Sequence, residues 1–66
     1  MKLVPKIRER RMEKHLTQTE LAKIIGMNPT QLSKIENGRN YPMPEALWRI
    51  AKGIGCLVDE LYEVVE

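Results

Sequence analysis

Four polar side chains share one face of a short helix predicted near the middle of the chain. When Leu32 is placed at the centre of the buried side, the helical period turns Thr30, Gln31, Lys34 and Asn37 outward. This outward face carries no acid and no large hydrophobe. Because amide, hydroxyl and ammonium groups donate hydrogen bonds to base edges and phosphates, the face is a candidate nucleic-acid contact. An ordinary solvated helix face is the alternative.

The segment from Thr17 to Gly38, a third of the chain, is predicted to form two short helices around one tight turn. Gly26 lies between them, where it permits a positive φ and a sharp change of direction. Small proteins use this helix-turn-helix geometry to place the second helix in the major groove of DNA. The sequence therefore contains an element that can present the polar face.

Helix signals cover the whole chain, and no strand is predicted. Apolar residues recur at intervals of three and four, and Val-rich alternation is absent. We predict an all-α, five-helix fold in which helices 2 and 3 form the helix-turn-helix. In the fifth helix, Val58, Leu61 and Val65 are expected to face inward. The helices are placed at about 5–14, 18–25, 29–36, 44–54 and 58–64, with residues 39–43 as a loop.

Helix-terminal residues set several of these boundaries. Pro5 is placed at the first position of helix 1, where its missing N–H is harmless. Thr17 caps helix 2, and Glu20 completes a capping box. Asn28 caps helix 3, which ends at Asn37-Gly38.

Glu36 is predicted on the core side of helix 3, where a carboxylate loses its hydration. A buried carboxylate needs a charged partner to be tolerated. Helix 1 offers Arg11, on the same turn as Ile7. We therefore predict an Arg11–Glu36 ion pair that ties helix 1 to the end of helix 3. Its expected role is structural, since no second acid or nucleophile converges on it for catalysis.

A chain of 66 residues allows one domain, residues 1–66, with an aliphatic core. Such a chain buries only about 60% of its unfolded surface, so a partner subunit is expected. Its net charge of +2 is unevenly distributed. Residues 1–39 carry nine Lys and Arg against four Glu, whereas residues 45–66 carry two Lys and Arg against five acids. A basic N-terminal part and an acidic C-terminal part are typical of a protein that binds a polyanion through one face only.

The sequence offers little for catalysis, metal binding or export. The single cysteine, Cys56, cannot form an internal disulfide and is expected to be a small buried hydrophobe. Together with His15 it falls short of the four ligands of a zinc site, so no metal or cofactor is expected. No arrangement of nucleophile and base is found, which argues against an enzyme.

The N-terminus lacks a signal peptide, and no apolar run is long enough to span a membrane. The sequence therefore predicts a cytoplasmic protein.

These elements closely resemble the phage repressor and Cro-type helix-turn-helix family, also called the xenobiotic-response-element family. The resemblance runs from Ile7 to about Tyr62, nearly the whole chain. It implies a compact five-helix domain of the lambda-repressor type whose third helix enters the major groove. The motifs that carry it include Leu21-Ala22, Gly26, Glu36-Asn37-Gly38, Ile50-Ala51 and Asp59-Glu60-Leu61.

The resemblance also implies roles for individual residues. In that family the glutamine at the start of helix 2 and the asparagine after helix 3 contact phosphates, and the first turns of helix 3 contact bases. Asn28 borders this surface and can reach a phosphate as well as cap the helix. Arg39, in the following loop, is a further basic candidate. The expected base contacts are Thr30, Gln31 and Lys34, and the expected phosphate contacts are Gln18, Asn28, Asn37 and Arg39.

Four positions depart from the family pattern. Pro29 stands where some relatives carry a base-contacting side chain, and His15 stands where relatives usually have Gly. We expect His15 to end helix 1. Met43 and Leu57 stand where relatives favour Ser, and each is expected to weaken its helix by roughly 0.5–2 kcal/mol compared with a good cap.

The leading hypothesis is sequence-specific binding of double-stranded DNA by a transcriptional repressor of bacterial, archaeal or phage type. A homodimer would occupy two half-sites of a near-palindromic operator, about 34–36 Å apart. Trp48, Leu57 and Tyr62 are candidates for the dimer interface, unless Trp48 only covers the edge of the core. The alternative is a protein-interaction module, such as an antitoxin that binds a partner protein through its acidic C-terminal region.

Overall fold

The computed structural model describes all 66 residues and contains four α-helices, one 3₁₀ turn and a two-stranded sheet. None of the helices combines the length and the hydrophobicity that a membrane-spanning helix requires. In chain order the elements are β1 (Lys2–Pro5), α1 (Ile7–Glu13), α2 (Gln18–Ile25), α3 (Pro29–Glu36), α4 (Pro44–Ile54), a 3₁₀ turn (Val58–Glu60) and β2 (Tyr62–Val65).

The two ends of the chain pair as antiparallel strands, so the prediction of an all-α fold with five helices is wrong there. β1 and β2 place Leu3 opposite Val64 and Pro5 opposite Tyr62. Pro5 therefore lies in a strand and does not begin α1. A two-stranded sheet consists only of edge strands, where a proline lacking its N–H is tolerated. The short apolar pattern near the C-terminus fits a helix or a strand equally well until its pairing partner is known.

A 3₁₀ turn followed by β2 replaces the predicted fifth helix. Only one of the three residues expected in the core from this segment faces inward. Leu61 is fully buried, whereas Val58 and Val65 remain more than a third exposed. The backbone N–H of Lys6 donates to the carbonyl of Leu61 at 2.7 Å, which continues the contact between the two chain ends. The chain end therefore returns to α1 and does not extend as a separate helix.

The core is a single aliphatic cluster of ten buried side chains shared by the four helices and Leu61. No aromatic side chain is among them, as the composition predicts. The members are Ile7, Leu21, Ala22, Ile25, Leu32, Ile35, Ile50, Ala51, Ile54 and Leu61.

The helix-turn-helix is held by its caps. Thr17 Oγ1 accepts from the backbone N–H of Glu20 at 3.0 Å, and Glu20 Oε1 accepts from the N–H of Thr17 at 2.8 Å. The predicted capping box is therefore confirmed. Gly26 has a φ of 70°, in the left-handed region that glycine adopts without strain. These two features fix where α2 begins and how the chain turns into α3.

α4 packs closely against α2 at Gly53. A Cβ atom at this position would lie 2.6 Å from Ile25 Cγ2 and 3.2 Å from Leu21 Cδ1. Only a residue without a side chain allows this separation without displacing the neighbouring helix. The contact ties α4 to the helix-turn-helix and leaves a groove along the line where α2 and α4 meet.

Candidate nucleic-acid interface

The outward face of α3 is polar along its first two turns. Asn28 caps the helix, since its Oδ1 accepts from the backbone N–H of Thr30 at 2.8 Å. Thr30, Gln31 and Lys34 are all exposed. Together with Asn28 and Asn40 they line a shallow depression of about 490 Å³ that contains no hydrophobic side chain. The structure thus brings the three predicted base-contact residues to one surface.

Asn40 belongs to this surface, and the sequence analysis did not find it. The backbone N–H groups of Arg39 and Asn40 both donate to the carbonyl of Lys34, at 2.9 and 3.3 Å. Gly38 makes the preceding turn with a φ of 78°. The chain therefore folds back on the end of α3 and places Asn40 beside Lys34. The Asn37-Gly38 stop signal predicted the turn but not the direction in which the chain leaves it.

Arg11 and Glu36 form the buried ion pair that the sequence predicts. Arg11 Nε donates to Glu36 Oε2 at 2.9 Å, and Arg11 Nη2 donates to Glu36 Oε1 at 3.1 Å. Arg11 Nη1 also donates to the carbonyl of Leu16 at 2.8 Å. The side chains are only 10% and 3% exposed. α1, the segment before α2 and the end of α3 are thereby held to one another.

Gln18 joins this pair, which was not foreseen. Its Nε2 donates to Glu36 Oε1 at 3.2 Å. Gln18 is the first residue of α2 and is partly buried. An amide has two N–H donors and a carbonyl acceptor, so one N–H and the carbonyl remain for a ligand. The predicted phosphate-contact residue is therefore oriented by the carboxylate that Arg11 holds in place.

The remaining predicted phosphate contacts lie at the two ends of α3. Asn28 uses Oδ1 for its cap, which leaves its amide N–H groups without a protein acceptor. Asn37 is exposed at the C-terminal cap, with Nδ2 3.5 Å from Ser33 Oγ. Arg39 is exposed and forms no ion pair within the chain. Hydrogen-bond donors thus flank the polar depression on both sides.

Hydrogen bonding favours the charged form of Glu20 at the start of α2. The backbone N–H of Thr17, followed by its side chain, lowers the pKa of the Glu20 carboxyl below its usual value. An anion at a helix N-terminus also interacts favourably with the helix dipole. The carboxylate therefore stabilises the end of α2 that presents Gln18.

The three predicted dimer-interface residues lie on separate elements. Trp48 of α4 is more than half exposed, and Lys52 Nζ lies 5.2 Å from its ring centroid. Trp48 lines a groove together with the core residue Ile25. Leu57 is exposed in the segment before the 3₁₀ turn. Tyr62 packs against Tyr41 with ring centroids 5.8 Å apart, within the same chain.

Tyr62 and Cys56 occupy partly buried positions at the C-terminal side of the core. The Tyr62 hydroxyl is buried without a hydrogen-bond partner, and burial, followed by the nearby Tyr41, raises its pKa. Cys56 packs against the core but is only partly buried, less than predicted. Burial, followed by the charge of Glu60, raises the pKa of its thiol. No group of three or more metal-binding side chains lies together in the structure.

Comparison with known families identifies the fold. The helix-turn-helix family HTH_3 matches residues 7–61 of the chain. The chain belongs to the HTH_3 helix-turn-helix family. The resemblance to xenobiotic-response-element regulators, predicted from Ile7 to about Tyr62, is thereby confirmed over almost the same range. Membership of a family of DNA-binding regulators also supports the expectation that the chain is not an enzyme.

Relatives of this HTH_3 chain include phage and bacterial regulators. The 10 kDa protein of the ImmF control region of Bacillus phage phi105 is 56% identical over 50 residues, 76% of this chain and 56% of that protein. The transcriptional activator BcrR of Enterococcus faecalis is 38% identical over 61 residues, 92% of this chain and 30% of that protein. The regulator DdrOP3 of Deinococcus deserti is 36% identical over 66 residues, the whole chain and 51% of that protein. The chain thus spans between 30% and 56% of the length of these relatives.

Solved structures of a gene regulator and of a controller protein superpose well on this chain. The clp gene regulator ClgR from Corynebacterium glutamicum is 31% identical with a TM-score of 0.77, over 82% of this chain and 70% of that one. The restriction-modification controller protein C.AhdI from Aeromonas hydrophila has a TM-score of 0.79 over 83% of each chain. Its identity of 24% supports a shared fold only.

Proposed function

We propose that the chain binds double-stranded DNA sequence-specifically, as the DNA-binding domain of a transcriptional regulator. The observation that carries this proposal is the outward face of α3, an exposed depression lined only by polar side chains. An α-helix fits the major groove, where each base pair displays its own pattern of donors and acceptors. A donor-rich face without acids matches both the base edges and the negative potential of DNA.

The residues divide by role according to their position. Thr30, Gln31 and Lys34, on the outward face of α3, are assigned to base edges. A lysine suits guanine, and a glutamine suits adenine. Residues at the helix ends are assigned to phosphates, since donors there can position the helix without specifying a sequence. These phosphate contacts are Gln18, Asn28, Asn37 and Arg39.

A fixed frame supports this assignment. Arg11 holds Glu36, and Glu36 accepts from Gln18, so α1, α2 and α3 keep one arrangement. Binding residues held by packing and hydrogen bonds lose less entropy when a ligand is bound. The frame therefore supports docking of α2 and α3 on DNA as one rigid unit.

We further propose a homodimeric repressor acting on a near-palindromic operator. Two copies related by a two-fold axis would place their third helices about 34–36 Å apart, in successive major grooves on one side of the duplex. A dimer covering a promoter would exclude RNA polymerase sterically, and the same dimer placed upstream could activate. Among the relatives, the activator BcrR exemplifies the second outcome. Such a protein would act in the cytoplasm, at the nucleoid.

Selection of bound DNA from a random duplex library at near-physiological salt tests the proposal. We expect enrichment of an inverted repeat, each half matching one copy of α3. The matched control is the triple variant Thr30→Ala, Gln31→Ala, Lys34→Ala, which keeps the caps and the core and should enrich nothing. Failure of the wild-type chain to enrich any sequence, with only weak and steeply salt-dependent binding, would overturn sequence-specific recognition.

A protein-interaction module, such as an antitoxin, is the second candidate. The observation that favours it is the groove between α2 and α4, where Ile24 and Trp48 are both more than half exposed. Under this hypothesis the α3 triple variant would bind its protein partner as well as the wild-type chain does. DNA selection by the wild-type chain that the triple variant loses would therefore support the DNA-binding regulator. Partner binding by both chains without any DNA selection would support the interaction module.

A further inference from the structure

An open groove of about 360 Å³ runs between α2 and α4, away from the residues assigned above to DNA. Its floor is Ile25 and Gly53, and Ile24, Trp48, Arg49 and Lys52 line its sides. Large apolar side chains that are exposed side by side often mark a protein contact. None of the base or phosphate contacts assigned above lines this groove.

α4 carries two stripes of residues with the same helical spacing. The buried stripe is Leu47, Ile50, Ala51 and Ile54, and it packs on the core. The exposed stripe is Glu45, Trp48, Arg49 and Lys52. Residues spaced at i, i+3, i+4 and i+7 lie along one side of a helix. α4 therefore presents a second ordered face to the outside, with Trp48 at its centre.

The exposed stripe carries opposite charges at its two ends. Glu45 and Lys52 are two helical turns apart, a separation of about 10.5 Å along the axis. Within the chain, Glu45 Oε1 lies 3.4 Å from Arg49 Nη2, and Lys52 lies over Trp48. An antiparallel copy of α4 placed against this face meets Lys52 with its Glu45, and Glu45 with its Lys52. A parallel copy would bring like charges together.

We propose that two copies of this chain associate through antiparallel α4 helices. Across a two-fold axis between Trp48 and Arg49, each Trp48 indole enters the groove of the other copy, and two Glu45–Lys52 pairs flank the contact. A two-fold interface uses the same patch on both subunits, so a self-complementary stripe is the pattern it requires. This inference rests on the proposed dimer and names its contact surface.

The size of the surface predicts a weak dimer. A standard stable interface buries about 800 Å² per partner, and the whole chain exposes 4671 Å². The groove is lined by six residues, to which the stripe adds Glu45, whereas a standard interface uses about 20–30 residues a side. We therefore expect a dissociation constant in the micromolar range. Binding to adjacent half-sites would then bring the two copies together on DNA.

Charge reversal tests the arrangement. Glu45→Lys and Lys52→Glu each create two like-charged contacts in a homodimer, and each should raise the dimer dissociation constant about tenfold in sedimentation equilibrium at low salt. In an equimolar mixture, every contact between the two variants pairs Lys with Glu. Heterodimers should therefore form with an affinity within about threefold of the wild-type homodimer. Glu66→Lys and Lys2→Glu, reversed at exposed terminal positions, are matched controls and should leave dimerisation unchanged.

Trp48→Ala and Leu57→Ala separate this surface from other apolar ones. The first should abolish dimerisation at concentrations where the wild-type chain is dimeric, and the second should not, with circular dichroism verifying the fold of each. The wild-type chain could dimerise while Trp48→Ala still dimerises, or while the two charge-reversed variants fail to form heterodimers. Either result would show that the α4 interface is wrong and that the dimer uses another surface. A wild-type chain that stays monomeric at several hundred micromolar overturns both the inference and the proposed dimer. Sequence-specific DNA binding is then tested separately, by the selection from a random duplex library.

Discussion

Arg11 and Glu36 face each other through two N–H···O hydrogen bonds of 2.9 and 3.1 Å in the interior of the molecule. Removing one partner of a buried pair leaves the other charged and unsolvated, which costs about 3–5 kcal/mol. We therefore expect Arg11→Ala to lower the free energy of unfolding by that amount. Urea denaturation followed by circular dichroism measures it.

Arg8→Ala is the matched control for that experiment. Arg8 is an exposed arginine of the same helix and forms no ion pair within the chain. Surface substitutions of this kind usually change stability by less than about 0.5 kcal/mol. Equal effects of the two substitutions would mean that the Arg11–Glu36 pair contributes nothing specific to the fold.

Lys34→Ala is expected to weaken specific DNA binding by about 1–3 kcal/mol and to relax the base preference at one operator position. Its thermal stability should not change, because the side chain is exposed. Lys23→Ala, which removes an exposed lysine from α2, is the control and should leave the base preference intact. Competition binding with operator variants gives both quantities. A uniform loss of affinity across all sequences would reassign Lys34 to a phosphate.

Arg39→Ala and Gln18→Ala distinguish two kinds of phosphate contact. Each charged contact releases counterions, so Arg39→Ala should reduce the slope of log affinity against log salt by about 0.9. Gln18→Ala should weaken binding without changing the slope, because an amide carries no charge. Titrations at four or more salt concentrations measure the slopes. An unchanged slope for Arg39→Ala would remove that residue from the phosphate set.

His15→Gly is expected to stabilise the fold by about 1 kcal/mol. His15 has a φ of 58° just after α1, as expected for a residue that ends this helix. A residue with a Cβ atom in the left-handed region carries strain of roughly 1–2 kcal/mol, part of which glycine loses again through its freedom when unfolded. Lys14→Gly, at an ordinary φ of −96°, should destabilise instead. A rise in melting temperature for both variants would argue against relief of strain.

Tyr62→Phe tests the buried hydroxyl and its effect at high pH. Removing an unpaired polar atom should raise stability by up to about 1 kcal/mol at neutral pH. The pKa of Tyr62 is higher in the folded chain than in the unfolded chain, so proton binding at this hydroxyl favours the folded state. This part of the free energy of unfolding is fully present below the unfolded pKa of about 10 and is lost as pH rises through the higher folded pKa. The variant should therefore lose less stability between about pH 9 and pH 12.

The Tyr62 measurement needs a background without the thiol, since burial raises the pKa of Cys56 in the same direction. Cys56→Ser in both chains removes that contribution. Urea unfolding at intervals across the alkaline range then gives the difference due to Tyr62 alone. Parallel stability curves for the two chains would show that the hydroxyl does not titrate differently in the folded state.

The helix-turn-helix was predictable because its signals are local. The capping box of Thr17 and Glu20, the glycine at the turn and the Asn28 cap each act within three or four residues along the chain. Glu36 was predictable for another reason. A carboxylate on the buried side of a helix requires a partner wherever the helix packs, and Arg11 was the candidate that helix 1 offered.

The strands were not predictable in the same way. Residues 62–65 become β2 only because β1 lies alongside, and that partner comes from the other end of the chain. Short apolar segments have no decisive period of their own. The predicted fifth helix failed for this reason, and with it the inward orientation of Val58 and Val65.

The caps, the turn and the polar face of α3 follow from local signals, because each depends on neighbours within one or two helical turns. Packing between distant segments, in contrast, makes Gln18 share Glu36 with Arg11, places Asn40 beside Lys34, and puts Trp48 at a groove on α2. Each of these depends on the angle at which distant segments pack. That angle is set by the whole core at once, and no single segment of the chain encodes it.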